Sequence, residues 1–355
     1  MIIGVAGTAK NTGKTTALSS LIDTAYAKGR LPGVTGIGYD GEARDNVTLL
    51  PKPRITVFPG MLVTTSEQCL AASTARLRIL RRTGIQTALG EVVITVVEGA
   101  GLVVVAGPNK AADLSAVGQE MATLGASDLL VDGSLNRIAP MAVADRVVFA
   151  TGAARTTELQ YLADETVSIE HIFRYGIFTS DHPVCAGIRL RSKDVTLQTS
   201  PGAIHGAREV ARALERIPDE LDEIVVAGLI TTDGLGVICD RLEEAGEGGV
   251  TLVFDDPFKL LLAGDPVRIG TLLRWLDELP VRIAYKHTTH LAAFTFNPYY
   301  PAFDGTSYSP ASLDPQAARE VLTNMLATPL IDVVQQGGEE LYDRCFNEEL
   351  RIPGS

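Results

Sequence analysis

The sequence predicts an α/β fold with a mostly parallel sheet flanked by helices. Three observations lead to this prediction. Short runs rich in Val and Ile recur along the chain, segments with helical periodicity lie between many of them, and the first run leads through a glycine-flanked loop directly into a helix. With 355 residues, of which 46% are hydrophobic and 21% charged, the chain can bury one large core or two ordinary ones.

The predicted elements alternate along most of the chain. We expect strands at residues 1–6, 55–57, 92–97, 102–105, 129–131, 147–149, 224–230, 250–254 and 292–296. We expect helices at residues 17–27, 66–82, 114–124, 156–172, 207–216 and 267–279. The apolar residues 92–97 and 102–106 flank Glu98-Gly99-Ala100-Gly101 symmetrically, which predicts a β-hairpin inserted into the fold.

The stretch GTAKNTGKTT between the first strand and the first helix has the composition of a phosphate-binding loop. The amides of a glycine-rich turn and of a helix start supply inward-pointing donors for phosphate oxygens. We therefore predict that ATP binds through Gly7, Thr8, Lys10, Asn11, Thr12, Gly13, Lys14, Thr15 and Thr16. Lys14 is expected to contact the β- and γ-phosphates as a catalytic residue, and Thr15 to bind Mg²⁺.

The spacing of this loop differs from the usual G-x-x-x-x-G-K-[ST], because Thr8 stands at the place of the first glycine and Gly7 comes one position early. The longer loop G-T-x-x-x-x-G-K-T resembles that of dethiobiotin synthetase and its P-loop relatives. Some relatives carry a lysine that reaches the nucleotide of a second subunit, and Lys10 lies one residue from that position. A homodimer is the assembly that this feature would imply.

The second magnesium ligand has competing candidates. Asp132 ends a compact apolar run after a helix, as expected of a central parallel strand, and this favours Asp132 as metal ligand and second catalytic residue. Glu98 matches the Glu-Gly-Ala-Gly signature in which the glutamate of dethiobiotin synthetase touches the metal, but a hairpin would place Glu98 at a solvated tip. Asp40 lies in a third acidic cluster, which is either a metal-linked loop or a plain surface turn. Arg137 is either a phosphate contact or a surface arginine.

Charge and cysteine content restrict the partners. Acidic residues outnumber basic ones by 43 to 31, and the net charge of −12 argues against nucleic acid or an anionic membrane as a partner. The four cysteines are isolated, without CxxC spacing, which is typical of reduced thiols in a cytoplasmic protein.

A set of short stretches occurs in order along residues 1–305: GTAKNTGKTT, GVTGIGYDGE, KPRITVFPGMLVTT, VAGPN, LLVDGSLNRIAPMAVADRVVFATGA, FDDPFKLLL and FTFNPYYP. Together they resemble the P-loop subunit of the reactivase for lysine 5,6-aminomutase. The resemblance implies an ATP-dependent reactivating factor that releases damaged cobalamin from an adenosylcobalamin-dependent aminomutase. It also implies two partners, the aminomutase and a second, MutS-like reactivase subunit.

Two other functions fit the loop: an ATP-dependent small-molecule ligase like dethiobiotin synthetase, and a nucleotide-binding adaptor for cofactor insertion. Dethiobiotin synthetase lines the base with a late Asn-Pro loop, and this implies the same role for Asn297 and Pro298. We expect residues 1–200 to form the P-loop nucleotide-binding domain. Residues 201–310 would form a C-terminal α/β region that either stands alone or continues the same sheet, and residues 311–355 a helical tail.

Overall fold

The computed structural model describes residues 1–38, 55–134, 137–179, 186–193, 195–200, 202, 204–217, 220–245, 249–303 and 305–347. These residues form two compact units. The first contains Met1–Leu162 together with the chain from Leu291 to the last helix, and the second contains Ala163–His290. None of the helices in the described part of the chain is both long enough and apolar enough to cross a membrane.

The strands, in chain order, are β1 (Ile2–Gly7), β2 (Gly33–Gly36), β3 (Ile55–Val57), β4 (Leu62–Ser66), β5 (Arg76–Thr87), β6 (Gly90–Gly99), β7 (Gly101–Val103), β8 (Leu129–Ser134), β9 (Arg146–Gly152), β10 (Ile188–Ser192), β11 (Val195–Gln198), β12 (Ile204–His205), β13 (Glu223–Val226), β14 (Leu229–Ile230), β15 (Val250–Phe254), β16 (Val281–Tyr285), β17 (His290–Asn297), β18 (Tyr299–Phe303), β19 (Tyr308–Ser312) and β20 (Leu330–Ile331).

The α-helices are α1 (Lys14–Ala27), α2 (Ala111–Thr123), α3 (Leu159–Phe173), α4 (Ala207–Leu214), α5 (Thr232–Ala245), α6 (Pro257–Leu261), α7 (Pro266–Asp277), α8 (Pro315–Met325) and α9 (Glu339–Phe346). Two short 3-10 helices lie at Glu67–Ala72 and Ala139–Val143.

A nine-stranded sheet, in the order β20-β17-β9-β1-β8-β2-β4-β6-β5, forms the centre of the first unit. β1 lies between β8 and β9 and runs parallel to both, and β2 runs parallel to β8 and β4. β6 is antiparallel to β4 and to β5. The predicted α/β architecture with a mostly parallel sheet is therefore confirmed for the first unit, and the ends of β1, β2, β4, β8 and β9 share one border, here called the carboxyl edge.

The core of the first unit explains why α1 forms where it does. Its apolar residues recur at helical spacing, and Leu18, Leu21 and Ile22 are fully buried in one cluster with Ile3 and Val5 of β1. Burial of each such side chain stabilises the fold by about 1.5–3 kcal/mol. The helix and the strand are thereby fixed to one another, and the loop between them is held at both ends.

The second unit has its own five-stranded sheet, in the order β11-β10-β13-β15-β16. β13, β15 and β16 are parallel, and β10 is antiparallel to β13 and β11. The strand β17 then belongs to the sheet of the first unit.

The predicted division of the chain differs from this arrangement. The first segment of the first unit ends at residue 162 rather than 200, and the unit resumes at residue 291. Among the described residues of 201–310, only β17 joins the sheet of the first unit. Residues 311–355 are not only helical, because β20 adds a strand to the first sheet beside α8 and α9.

Two local predictions are wrong. Residues 66–82, expected to be helical, contain a 3-10 helix and the start of β5, because Arg76–Thr87 pairs as an edge strand with β6. A hairpin does form, but β6 pairs with the preceding β5 and not with the following residues 102–106. The short β7 pairs instead with β3.

Candidate functional site

The loop between β1 and α1 lies at the carboxyl edge and closes tightly on itself. Gly13 is the N-cap of α1 and has φ of 94°, in the left-handed region that favours glycine. A Cβ added to Gly7 would meet the Thr12 hydroxyl at 2.9 Å and the Ala9 carbonyl at 3.1 Å. Both glycines of the GTAKNTGKTT stretch are thus required by the shape of the loop.

Two threonines anchor the loop. The Thr8 amide donates to the Ala150 carbonyl at the end of β9 (2.9 Å), and the buried Thr8 hydroxyl lies 3.4 Å from that of Thr151. The Thr12 hydroxyl donates to the Ala9 carbonyl across the loop (2.9 Å). Thr8 and Thr12 therefore hold the loop in shape, whereas the side chain of Lys10 is exposed.

Lys14 and Asp132 form an ion pair at the centre of the carboxyl edge. The Lys14 Nζ lies 3.0 Å from Asp132 Oδ1, and both side chains are mostly buried. Asp132 of β8 stands opposite Val5 of β1 and Gly36 of β2 in the strand register. This register places Asp132 beside the loop that follows β1. Thr15 and Thr16 follow on the first turn of α1.

The chain after β2 continues along the same edge. The Ile37 amide donates to the Asp132 carbonyl (2.9 Å), and the Gly38 amide donates to that of Pro108 (3.1 Å). Arg137 lies against Gly38, because the Arg137 Nη1 is 3.5 Å from the position of a Cβ built on Gly38. Arg137 is therefore brought to the carboxyl edge. Asp40, the metal candidate that follows this segment, falls outside the described residues.

Asn297, at the end of β17, contacts the loop directly. Its Nδ2 donates to the Asn11 carbonyl (2.8 Å), its Oδ1 accepts from the Tyr299 amide (3.2 Å), and its carbonyl accepts from the Ala153 amide (2.9 Å). Asn297 therefore lies at the loop, and the role of Asn297 and Pro298 in lining the base stays a prediction.

A cavity of about 100 Å³ opens beside the loop, next to the start of α1. Its lining comes from three places in the chain: Thr12, Gly13 and Thr16; Thr295–Tyr299; and Pro315 with Asp332–Gln335. Sequence reasoning missed the last set. Its only signal is the two-residue strand β20, which is too short to stand out by periodicity.

Glu98 is not brought to this site. Because β6 is antiparallel to β4, with Val92 opposite Ser66 and Val96 opposite Leu62, the end of β6 lies at the opposite border of the sheet. There Glu98 pairs with Arg78 (2.6 Å) and Arg76 (3.7 Å), both exposed. The geometry thus separates the two strand-end carboxylates, and only Asp132 lies beside Lys14.

The second unit carries its own charged cluster where β13, β15 and β16 end. Asp255 accepts from Lys259 (2.7 Å), from Lys286 (2.7 Å) and from the Gly228 amide (2.8 Å). Burial acts to raise the pKa of Asp255, but these three hydrogen bonds outweigh burial and hold the pKa below its usual 3.8. Burial raises the pKa of the adjacent Asp256, whose carboxylate caps α6 by accepting from the Lys259 amide (2.9 Å).

Comparison of the chain with protein-family models, with curated proteins and with solved structures gave no match. Within the described part of the chain, no group of three or more His, Cys, Asp or Glu side chains could hold a metal ion by itself.

Proposed function

We propose that the first unit binds ATP with Mg²⁺ at the loop Gly7–Thr16. The observation that carries this proposal is the Lys14–Asp132 ion pair at the start of α1. A cation for phosphate and a carboxylate for metal stand 3.0 Å apart, at the first turn of a helix whose N-cap is a glycine without a side chain.

The residues present fit the group. Asp132 and Thr15 would supply oxygen ligands to Mg²⁺, and Lys14 would donate to the phosphates. The ion, when bound, neutralises negative charge on the phosphate oxygens. Before nucleotide arrives, Lys14 and Asp132 neutralise one another, so neither charge is buried without a counter-charge.

The cavity beside Thr12 and Gly13 is the proposed place of the base. It adjoins the loop, and its lining combines apolar side chains such as Phe296 and Val333 with polar groups such as Gln335. Pro298 and Tyr299 form part of the same wall.

We further propose that ATP drives reactivation of an adenosylcobalamin-dependent aminomutase, together with a MutS-like subunit. The sequence resemblance supports this second proposal. Four of the stretches that carry the resemblance have residues at the same carboxyl edge: GTAKNTGKTT, VAGPN, LLVDGSLNR and FTFNPYYP. Hydrolysis is expected to be slow until a partner completes the site. A small-molecule ligase and a cofactor-insertion adaptor remain the alternative functions of the same loop.

Calorimetric titration with ATP and Mg²⁺ tests the binding proposal. Lys14→Ala should weaken binding by about 100-fold or more, since it removes a charge-assisted contact to phosphate. Lys28→Ala is the control, a lysine at the opposite end of α1, and should change binding by less than about threefold. Equal losses in both variants, or no binding by the parent chain, would contradict the proposal.

Addition of the protein and ATP to an aminomutase poisoned with hydroxocobalamin tests the second proposal. Recovery of mutase activity with the parent chain but not with Lys14→Ala is the expected result. ATP binding without recovery, even with the second subunit present, would favour the ligase.

A further inference from the structure

Asn297 makes more contacts with main-chain atoms of the site than any pattern in the sequence suggests. Its side-chain amide connects two separate segments, the Asn11 carbonyl of the loop and the Tyr299 amide at the start of β18. Its own carbonyl is bound by the Ala153 amide after β9. A Cβ on Gly13 would lie 3.2 Å from the Asn297 Cβ, so the residue also packs against the N-cap of α1.

The orientation of the Asn297 amide follows from its partners. A main-chain carbonyl can only accept and a main-chain N–H can only donate, so the nitrogen must face Asn11 and the oxygen must face Tyr299. One N–H and one oxygen lone pair of the amide are thereby used on the protein itself. The amide has a second N–H and a second lone pair, so these two bonds fix its orientation without using its whole hydrogen-bonding capacity.

The bond to Asn11 acts at the most constrained point of the loop. Asn11 has φ of 63°, in the left-handed region that costs a non-glycine residue about 1 kcal/mol or more. In a planar trans peptide the C=O and the following N–H point in opposite directions. Holding the Asn11 carbonyl toward Asn297 therefore points the Thr12 amide away from Asn297.

We propose that Asn297 is a positioning residue, which holds the Asn11–Thr12 peptide in the orientation that binds phosphate, and that it does not select the base. The phosphate ligand in this proposal rests on the proposed function, whereas the effect of Asn297 on the conformation of the loop does not. This positioning role differs from the role that the Asn-Pro resemblance implies, because both hydrogen bonds of the side chain are with the loop and with β18, although Asn297 is also among the residues that line the cavity.

Three ligands separate the two roles: ATP, GTP and inorganic tripolyphosphate, which has no base. Asn297→Ala should weaken binding of all three by the same factor, about tenfold, as expected for the loss of one hydrogen bond that holds the loop. Tyr299→Ala is the contrasting variant, because Tyr299 is one of the residues that line the cavity and the substitution keeps the main-chain amide that Asn297 binds. It should weaken ATP or GTP and leave tripolyphosphate within about twofold.

A second measurement needs no nucleotide. Hydrogen–deuterium exchange of the peptide covering residues 8–16 should speed up in Asn297→Ala by about tenfold, and should not change in Tyr299→Ala. Asn297→Asp serves as a variant of equal size that keeps the acceptor for Tyr299 but cannot donate to Asn11. It should show the same faster exchange. A thermal unfolding curve like that of the parent chain would show that the fold is retained.

Unchanged exchange in both Asn297 variants would overturn the proposal. A changed ATP to GTP ratio with unchanged tripolyphosphate binding would also overturn it, in favour of base recognition. If the parent chain binds none of the three ligands, the proposed function fails, whereas the exchange data still decide whether Asn297 positions the loop.

Discussion

The helices α1 and α6 both begin just after the end of a parallel strand, yet their first turns are built in opposite ways. α1 begins after Gly13, which has no side chain to cap it, and its first turn contains no acidic residue. α6 begins after Asp256, whose carboxylate accepts a hydrogen bond from its first turn, and Pro257 occupies the first helical position. The start of α6 is satisfied within the chain, and a carboxylate there repels an anion.

The neighbouring charges show the same contrast. In the second unit Asp255 binds two lysines and an amide, so the cluster joins the ends of three strands and needs no ligand. In the first unit Lys14 and Asp132 pair at the start of a helix whose N-cap, Gly13, has no side chain. A lysine and a carboxylate at the end of a parallel strand are therefore not diagnostic of a site by themselves. The two clusters differ in the cap of the adjacent helix, and the proposed ATP site rests in part on this difference.

The largest effect on stability is expected at the self-satisfied cluster. Asp255→Asn should lower the free energy of unfolding of the second unit by about 2–3 kcal/mol, because two partly buried lysines lose their shared counter-charge. Urea unfolding, monitored by hydrogen exchange of the β15 and β16 amides, measures this loss of stability. Asp233→Asn, which breaks an exposed pair with Arg268, is the control and should cost less than about 0.5 kcal/mol. Weaker ATP binding in Asp255→Asn would contradict the contrast drawn between the two charged clusters.

The same cluster predicts a dependence on pH. Because the folded pKa of Asp255 lies below its unfolded value of 3.8, this carboxylate stabilises the fold above pH 3.8 and loses its contribution as pH falls through the folded pKa. Asp256 acts in the opposite sense, because burial raises its pKa. Thermal unfolding between pH 3 and 6 should show a steeper loss below pH 4 for the parent chain than for Asp255→Asn. Parallel curves would show that Asp255 is not the responsible group.

Gly13→Ala tests the open helix start, with a smaller expected effect. A methyl group at φ of 94° costs about 1–2 kcal/mol and would crowd the Asn297 Cβ, so stability should fall by that amount and ATP binding by about tenfold. Chemical unfolding and calorimetry measure the two effects. Gly29→Ala, at another left-handed glycine with open space around it, should reduce stability alone. Retained binding in Gly13→Ala would mean that the loop tolerates a different turn.

The smallest effect is expected for Glu98→Gln. Its partners Arg76 and Arg78 are exposed, so the free energy of unfolding should change by less than about 0.5 kcal/mol. Binding of ATP with Mg²⁺ should stay unchanged, because Glu98 lies at the opposite border of the sheet. Asp132→Asn should instead weaken the magnesium dependence of binding. Loss of magnesium dependence in Glu98→Gln would reverse the assignment of the carboxylate.

Local patterns predicted the loop and its immediate surroundings. β1, α1 and β8 are apolar runs bounded by glycine or by a polar residue, and the burial of those runs places Lys14 beside Asp132. The pairing of β6 could not be predicted in this way, because the residues before and after it are equally suited to antiparallel pairing. Only contacts across the sheet select β5.

The other errors arise where contacts between residues that are far apart in the sequence decide the structure. The segment RLRILRR in β5 has apolar residues that fit either a helix or an edge strand, and its pairing with β6 decides the outcome. The division of the chain was missed because β17 resembles every other buried strand, although its neighbour β9 lies far away in sequence. Asp332–Gln335 reach the cavity only because two residues of β20 pair with β17.

The split first unit has a consequence for the order in which the protein is made. Buried Arg146 donates to the Arg344 carbonyl, which is synthesised 198 residues later. At a translation rate of about 5–20 residues per second, the wait is about 10–40 s. The described part of the second unit, Ala163–His290, is one continuous segment and is synthesised within that time. The unit that is begun first is therefore the last to be finished, and β9 lacks its neighbour β17 until residues 290–297 have been made.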